Sequence, residues 1–197
     1  MEKALKALRE RQRQKATKQK LPIAWVLTDP RLSDIEAYIP QIPSDIGLII
    51  RDYETPQREK YVKHLSQWTS QAGLITLVAA NPELAKQCDV AGVHWPSWAS
   101  PQPIQGQLTI FAVHNHEELL RAEAFNADAV IISPVFETKS HPDTPHLGLE
   151  GLHSLIKQTT CPVYAMGGIT SARMQSLLEL EIYGIAGISF LKELPRR

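Results

Sequence analysis

The strongest constraint on this chain is the regular alternation of short apolar runs with helix-forming segments. Eight runs rich in β-branched residues follow one another from residue 23 onward: "IAWVLTD", "GLIIRD", "LITLVAA", "AGVHWP", "TIFAVHN", "AVIISPVF", "PVYAMGG" and "GIAGISF". Their hydrophobicity is nearly continuous, which is typical of parallel strands buried on both faces. This alternation predicts an α/β fold with a parallel sheet.

Five helical patterns lie between the runs. They are "TPQREKYVKHLSQWTSQAG", "NPELAKQCD", "NHEELLRAEAFNA", "GLEGLHSLIKQTT" and "TSARMQSLLELEI". The first is predicted to begin with a cap at Thr55 and to end at Gly73, and the last to open on Thr170 or Ser171. The connection "WPSWASPQPIQGQ" contains three prolines, so no helix is expected there.

Eight strands that alternate with helices favour a (β/α)8 TIM barrel. The barrel would be a small one, because 197 residues lie at the lower end of the range for that fold. A doubly wound open sheet has the same alternation, but no glycine-rich turn follows the first run, and this makes it the second choice. Only "LKELPRR" follows the eighth run. Little or no final helix is therefore expected.

The first twenty residues differ in character from the rest. Residues 1–20 carry eight lysines and arginines against Glu2 and Glu10. We interpret 1–20 as a basic N-terminal helix or arm and 21–197 as one barrel domain. The arm could be a solvated amphipathic helix, could bind nucleic acid or a partner, or could cover part of the wall that lacks a final helix.

Composition excludes several classes of function. The formal net charge is +0, so no overall field favours nucleic acid or a membrane. Cys88 and Cys161 lie far apart and form no disulfide or metal motif. No apolar run has membrane-spanning length, and the charged start does not resemble a signal peptide. These features predict a cytoplasmic protein without a nucleic-acid or membrane partner, and they leave a homo-oligomer open.

In a barrel of this kind, functional residues follow the carboxyl ends of the strands. Gly167 and Gly168 follow the seventh run and Ser189 the eighth, where such barrels commonly bind phosphate. Adjacent glycines allow amides to approach an anion, and a helix opening at Thr170 would favour negative charge there. The alternative is a tight turn with no ligand.

The C-terminal half resembles a known family. "AVHNHEELLRAEAFNADAVIISPVFETKSHPDTPHLGLEGL", "CPVYAMGGIT" and "GIAGIS" are similar to segments of the thiamine phosphate synthase and TenI family. This resemblance implies a (β/α)8 barrel that handles a thiazole phosphate. It also assigns Gly167, Gly168, Ile188 and Ser189 to phosphate binding, and Arg51, Thr138 and Ser140 to substrate binding.

The resemblance also shows where the chain departs from the synthases. Ile49 and Tyr53 replace a glutamine and a lysine of the pyrimidine site, and His141 replaces a lysine near the pyrophosphate. Alanines stand where the synthases have the metal-binding carboxylates, at Ala80 and Ala99. Alanine offers Mg²⁺ no oxygen ligand. A chain without metal or cofactor, and closer to the TenI branch, is therefore expected.

A TenI-like isomerase needs a proton carrier, and Pro134 stands where part of that branch has its histidine. His94, His114, His116 and His141 are expected near the mouth, and we take His114 and His141 as the catalytic candidates. The hypotheses left open are a metal-independent isomerase, a diverged synthase that recruits Asp52, Glu54 or Glu137, and a non-enzymatic binder of a phosphorylated ligand.

Overall fold

The eight apolar runs form eight parallel strands that close into one barrel in sequence order, with β1 paired to both β2 and β8. In this computed structural model, residues 1–14, 21–32, 34–102, 104–138 and 145–193 are described. The strands are β1 Ala24–Leu27, β2 Ile46–Ile50, β3 Thr76–Ala79, β4 Gly92–Trp95, β5 Leu108–Val113, β6 Ala129–Ile132, β7 Val163–Met166 and β8 Gly184–Gly187. The predicted TIM barrel is confirmed.

Helices connect most of the strands on the outside of the barrel. They are α1 Glu2–Gln14, α2 Ile35–Tyr38, α3 Arg58–Gln71, α4 Pro82–Gln87, α5 His116–Ala124, α6 Gly148–Ile156 and α7 Met174–Leu178. Short 3₁₀ segments occur at Ile39–Gln41 and Ser189–Glu193. Within the described part of the chain, no helix has both the length and the apolar character that are needed to cross a bilayer.

The strand residues divide between two apolar clusters, as their alternation on a closed sheet requires. One cluster fills the barrel interior and includes Trp25, Leu27, Ile49, Leu77 and Tyr164. The other lies between the strands and the helices, and it includes many of the intervening strand residues. Both faces of each strand are therefore buried, which explains the continuous hydrophobicity of the runs.

Helix α1 forms part of the barrel wall. Leu5 and Leu8 are fully buried in the outer cluster. Arg11 donates hydrogen bonds of 2.5 and 2.6 Å to the carbonyl oxygens of Leu178 and Leu180, which lie at and just beyond the end of α7. Arg9 pairs with Asp45, at 2.5 Å, just before β2. The basic side chains therefore attach α1 to the barrel, between the end of α7 and the start of β2.

Helices α3 and α7 begin at other residues than predicted, and no side chain caps either of them. Asn81 and Asn115 cap α4 and α5 by accepting bonds from the amides three residues later, at 2.9 Å. Helix α3, however, begins at Arg58 after Gln57 in a left-handed conformation, so the cap predicted at Thr55 is wrong. Helix α7 begins at Met174 and not at Thr170 or Ser171, because residues 170–173 form a turn instead.

Candidate functional site

The carboxyl ends of β7 and β8 lie side by side at the mouth of the barrel. Gly167 and Gly168 follow β7 with φ angles of 102° and 63°, which side chains with a Cβ rarely adopt. A Cβ on Gly167 would lie 2.8 Å from Cα of Pro134, and a Cβ on Gly168 would overlap the carbonyl oxygen of Glu137. Both positions therefore require glycine, for conformation and for space.

The loop after β6 packs directly on this glycine pair. The amide of Phe136 donates a 3.1 Å bond to the carbonyl of Gly167. Arg173 donates a 2.7 Å bond from Nη1 to the carbonyl of Gly168, and its guanidinium lies 4.9 Å from the centre of the Phe136 ring. The turn is thus closed on one side by an aromatic ring and a cation.

Two backbone amides at this end of the sheet remain available. Among the described residues, the amides of Gly168 and Ile188 donate no backbone hydrogen bond. Met166, the last residue of β7, is in register with Ala186 of β8, so the segments that follow the two strands leave the sheet at the same edge. The Ser189 side chain is exposed next to them. Helix α7 does not contribute as we expected, because its first residue, Met174, is six residues beyond Gly168.

A second charged group lies at the ends of β1 and β2. Arg51 donates its amide to Oγ1 of Thr28 at 2.8 Å and its Nη2 to Oδ2 of Asp29 at 3.1 Å. Arg31 binds the other oxygen of Asp29 at 2.5 Å. These bonds, chiefly the one from Arg31, lower the pKa of Asp29 to about 2. Arg51 is therefore held in place with its side chain 27 % exposed.

The end of β3 carries a guanidinium and no metal ligands. Arg58 donates a 2.7 Å bond from Nη2 to the carbonyl of Ala79 and a 3.2 Å bond from Nε to the carbonyl of Asp52. Ala80 and Ala99 supply only methyl groups here. No cluster of three or more His, Cys, Asp or Glu side chains occurs in the described residues. This donor set does not suit Mg²⁺, which requires hard oxygen ligands.

The histidines expected at the mouth differ in environment. His94 on β4 is buried, its Nδ1 has no partner among the described groups, and burial lowers its pKa to about 3. His114 follows β5, is 41 % exposed in its side chain, and binds Glu118 through Nδ1 at 2.8 Å. His116 is the first residue of α5 and is exposed. Of these three described histidines at the mouth, His114 is the one that combines an accessible ring with a fixed orientation.

Two of the predicted site residues, Ser140 and His141, lie outside the described residues. Thr138 is described and partly buried. Four other residues at the mouth were not expected to be functional: Arg58, Trp98, Arg121 and Arg173. Arg58 and Arg173 lie within predicted helices, where arginine is ordinarily read as part of a solvated face. Arg58 and Arg173 lie close to the site because α3 begins at Arg58 and α7 begins directly after Arg173. The sequence did not predict these helix starts.

Comparison with known proteins identifies the family of the chain. The family described as thiamine monophosphate synthase matches residues 41–191. A putative thiamine-phosphate synthase 2 of Aquifex aeolicus is 28 % identical over 184 residues, which cover 88 % of this chain and 99 % of that protein. The thiamine-phosphate synthase of Pyrococcus furiosus is 32 % identical over 174 residues, or 84 % of each chain.

A solved structure agrees as well. The thiamine phosphate pyrophosphorylase from Pyrococcus furiosus superimposes with a TM-score of 0.73 at 27 % identity, and the alignment covers 86 % of both chains. With a family match over residues 41–191, this chain belongs to the thiamine monophosphate synthase family of thiamine biosynthesis.

Proposed function

We propose that the protein binds a thiazole phosphate at the barrel mouth and isomerises it without a metal ion, in the manner of the TenI branch. One observation carries this proposal. The turn after β7 leaves the amide of Gly168 without a backbone acceptor beside Arg173, whereas the positions aligned with the metal-binding carboxylates are Ala80 and Ala99. These features support a site that binds phosphate and does not use Mg²⁺.

The phosphate would be held by amides and a hydroxyl. Gly168 and Ile188 have amides without backbone acceptors, and Ser189 adds an exposed hydroxyl. Gly167 gives the turn the conformation it needs, and Arg173 contributes positive charge next to Gly168. Backbone amides and a guanidinium are suitable donors for phosphate oxygens. Arg51, Thr138 and Ser140 are assigned to the rest of the substrate through the family resemblance.

The proton carrier that we propose is His114, with His141 as a second candidate from sequence. Glu118 accepts from the amide of His114 at 2.7 Å and contacts its Nδ1 at 2.8 Å. A carboxylate at Nδ1 favours the tautomer with its proton on that atom, which leaves Nε2 as the base. Isomerisation then requires that Nε2 take a proton from one carbon of the substrate's conjugated system and return it to another, with the double bonds shifting between them.

Synthase activity is the second candidate function. It is favoured by the 32 % identity to the Pyrococcus furiosus thiamine-phosphate synthase. A synthase would join the thiazole phosphate to a pyrimidine diphosphate and release pyrophosphate, whose developing charge needs cations. Asp52, Glu54 and Glu137 could then supply new metal ligands. A third candidate, a binder without catalysis, has the same phosphate site and no chemical step.

Three assays on one preparation separate these functions. The isomerase exchanges a ring proton of the thiazole phosphate with deuterated water, and His114→Ala slows this exchange while binding persists. His116→Ala is the matched control, because His116 is two residues away and exposed. Mg²⁺-dependent formation of thiamine phosphate supports the synthase instead. Binding without either reaction supports the non-enzymatic binder. We also propose that the reaction needs no metal ion and that the protein is located in the cytoplasm.

A further inference from the structure

A cavity of about 620 Å³ lies at the end of the barrel opposite to the mouth. Its lining comes from two neighbouring connections, within residues 123–127 at the end of α5 and 157–161 at the end of α6. Segments that lead from a helix into the next strand lie at the amino ends of the strands, away from the functional face of such a barrel. The volume is in the range of small-molecule sites, so this cavity has room for a ligand of its own.

Hydrogen bonds hold the two walls of the cavity together. Thr159 donates from Oγ1 to Oε1 of Glu123 at 2.6 Å, and the same Oγ1 accepts from the amide of Cys161 at 3.0 Å. The Cys161 thiol donates to the carbonyl oxygen of Ala127 at 3.4 Å. These bonds join the segment after α6 to the segment after α5, so the carboxylate of Glu123 has a fixed position.

Glu123 is partly buried and has no cationic partner. In the described part of the chain, neither Glu123 nor Lys157 on the α6 side of the cavity forms an ion pair. The hydroxyl of Thr159 is neutral and occupies Oε1 alone. A partly buried carboxylate gains most from a charged donor, and Oε2 of Glu123 is free to accept from one.

The potential in the cavity is negative. Helices α5 and α6, of nine residues each, both end here, and the carboxyl end of a helix carries partial negative charge. Burial raises the pKa of the Cys161 thiol, and the charges of Glu123 and Asp128 raise it further. The thiol is therefore protonated at neutral pH and is not a reactive nucleophile. Two carboxylates and two helix ends thus face one ammonium group, that of Lys157.

We propose that this cavity binds a small aliphatic diamine. One ammonium group of the ligand pairs with Oε2 of Glu123, and the other lies at the carboxyl end of α6, where peptide carbonyl oxygens accept hydrogen bonds. A metal ion suits the cavity less well, because the described residues contain no group of three His, Cys, Asp or Glu side chains. The site lies away from the mouth, so it does not rest on the proposed function.

The test compares 1,4-diaminobutane with 1,4-butanediol by isothermal titration calorimetry at low ionic strength. The two probes have the same carbon chain, but only the diamine is charged at neutral pH. We predict that the parent protein binds the diamine saturably and the diol at least about tenfold more weakly, because a bond between charged groups is stronger than one from a neutral hydroxyl.

Two variants of the lining should change the affinity for the diamine in opposite directions. Glu123→Gln removes the charge but keeps an oxygen for the hydroxyl of Thr159, and it should weaken binding about tenfold. Lys157→Gln removes the competing ammonium group and should tighten binding by about threefold. Glu117→Gln is the matched control, because Glu117 is exposed in the first turn of α5, at the other end of the same helix. It should keep the parental affinity, and circular dichroism checks that each variant is folded.

Each of four results would overturn the diamine site. The first is the absence of saturable diamine binding by the parent, and the second is equal affinity for the diol. The third is an equal effect of Glu123→Gln and Glu117→Gln, which would mean that the diamine only screens the surface charge. The fourth is weaker binding by Lys157→Gln, which would mean that the cavity recognises an anionic or zwitterionic group through Lys157.

Discussion

Arg58 donates a 2.7 Å hydrogen bond from Nη2 to the carbonyl oxygen of Ala79, the last residue of β3. The next residue, Ala80, has a φ of 57°, and its amide donates to the carbonyl of His94 at 2.9 Å. The backbone at this corner of the mouth is therefore held by a fixed cation and a neighbouring strand. A guanidinium cannot ligate a metal ion, and it repels one nearby.

Binding of a thiazole phosphate should consequently not depend on Mg²⁺. We expect the dissociation constant to change by less than about twofold, a difference of less than about 0.4 kcal/mol, between excess Mg²⁺ and excess EDTA. Calorimetric titration of the purified protein in both buffers measures this. Clear tightening by Mg²⁺ would show that other carboxylates have replaced the missing ligands.

Asp29 should stabilise the fold in a pH-dependent way. Its hydrogen bonds, chiefly to Arg31, lower its pKa to about 2 in the folded state, against about 3.9 in an unfolded chain. Its stabilising contribution is therefore complete above about pH 4 and is lost as the pH falls toward 2. Urea unfolding from pH 6 to pH 2 should show a smaller loss of stability in Asp29→Asn than in the parent.

The control for this measurement is Asp34→Asn, which replaces an exposed aspartate that forms no side-chain cap on α2. It should follow the parental curve. If Asp29→Asn and the parent lose stability in parallel over the acid range, the bonds from Arg31 and Arg51 do not persist in solution.

Helix α1 should behave as part of the core. Leu8 is fully buried between α1 and the barrel, so Leu8→Ala should lower the free energy of unfolding by about 2–4 kcal/mol. Lys6→Ala on the exposed face of the same helix should change it by less than about 0.5 kcal/mol. Chemical denaturation with both variants tests this. Equal, small effects would mean that α1 is a solvated arm.

The fold was predictable because strands buried on both faces of a closed sheet are continuously hydrophobic in the sequence. Each of the eight runs corresponds to one strand of the barrel, although β2 and β5 begin one residue earlier than their runs. Asn81 was also recognisable as a helix cap, since its side chain bonds locally, and Asn115 caps α5 in the same way. The start of α3 at Arg58 could not be predicted, because Gln57 precedes it in a left-handed conformation without a capping side chain.

The site was only partly predictable. The glycine pair at 167 and 168 could be found because positive φ angles and close packing demand glycine. The bonds of Arg173 to Gly168 and of Arg121 to the Trp98 loop could not be found, since each joins a helix to a loop in three dimensions with no local sequence signal. The pairing of Asp29 with Arg51 spans two strands and was missed for the same reason.

Phosphate binding at Gly168 is the central claim, and one pair of variants tests it most directly. Gly168 and Gly106 have similar φ angles, 63° and 74°, but a Cβ would overlap the Glu137 carbonyl only at Gly168 and would meet nothing within 4 Å at Gly106. Alanine at either site therefore introduces similar backbone strain, while only Gly168→Ala disturbs the proposed phosphate site.

The measurement is the shift in melting temperature caused by inorganic phosphate, because a ligand that binds only the folded state raises its stability by mass action. We predict that phosphate raises the melting temperature of the parent and of Gly106→Ala by the same amount and leaves that of Gly168→Ala unchanged. An equal phosphate-induced shift in all three proteins would contradict a phosphate site at the ends of β7 and β8.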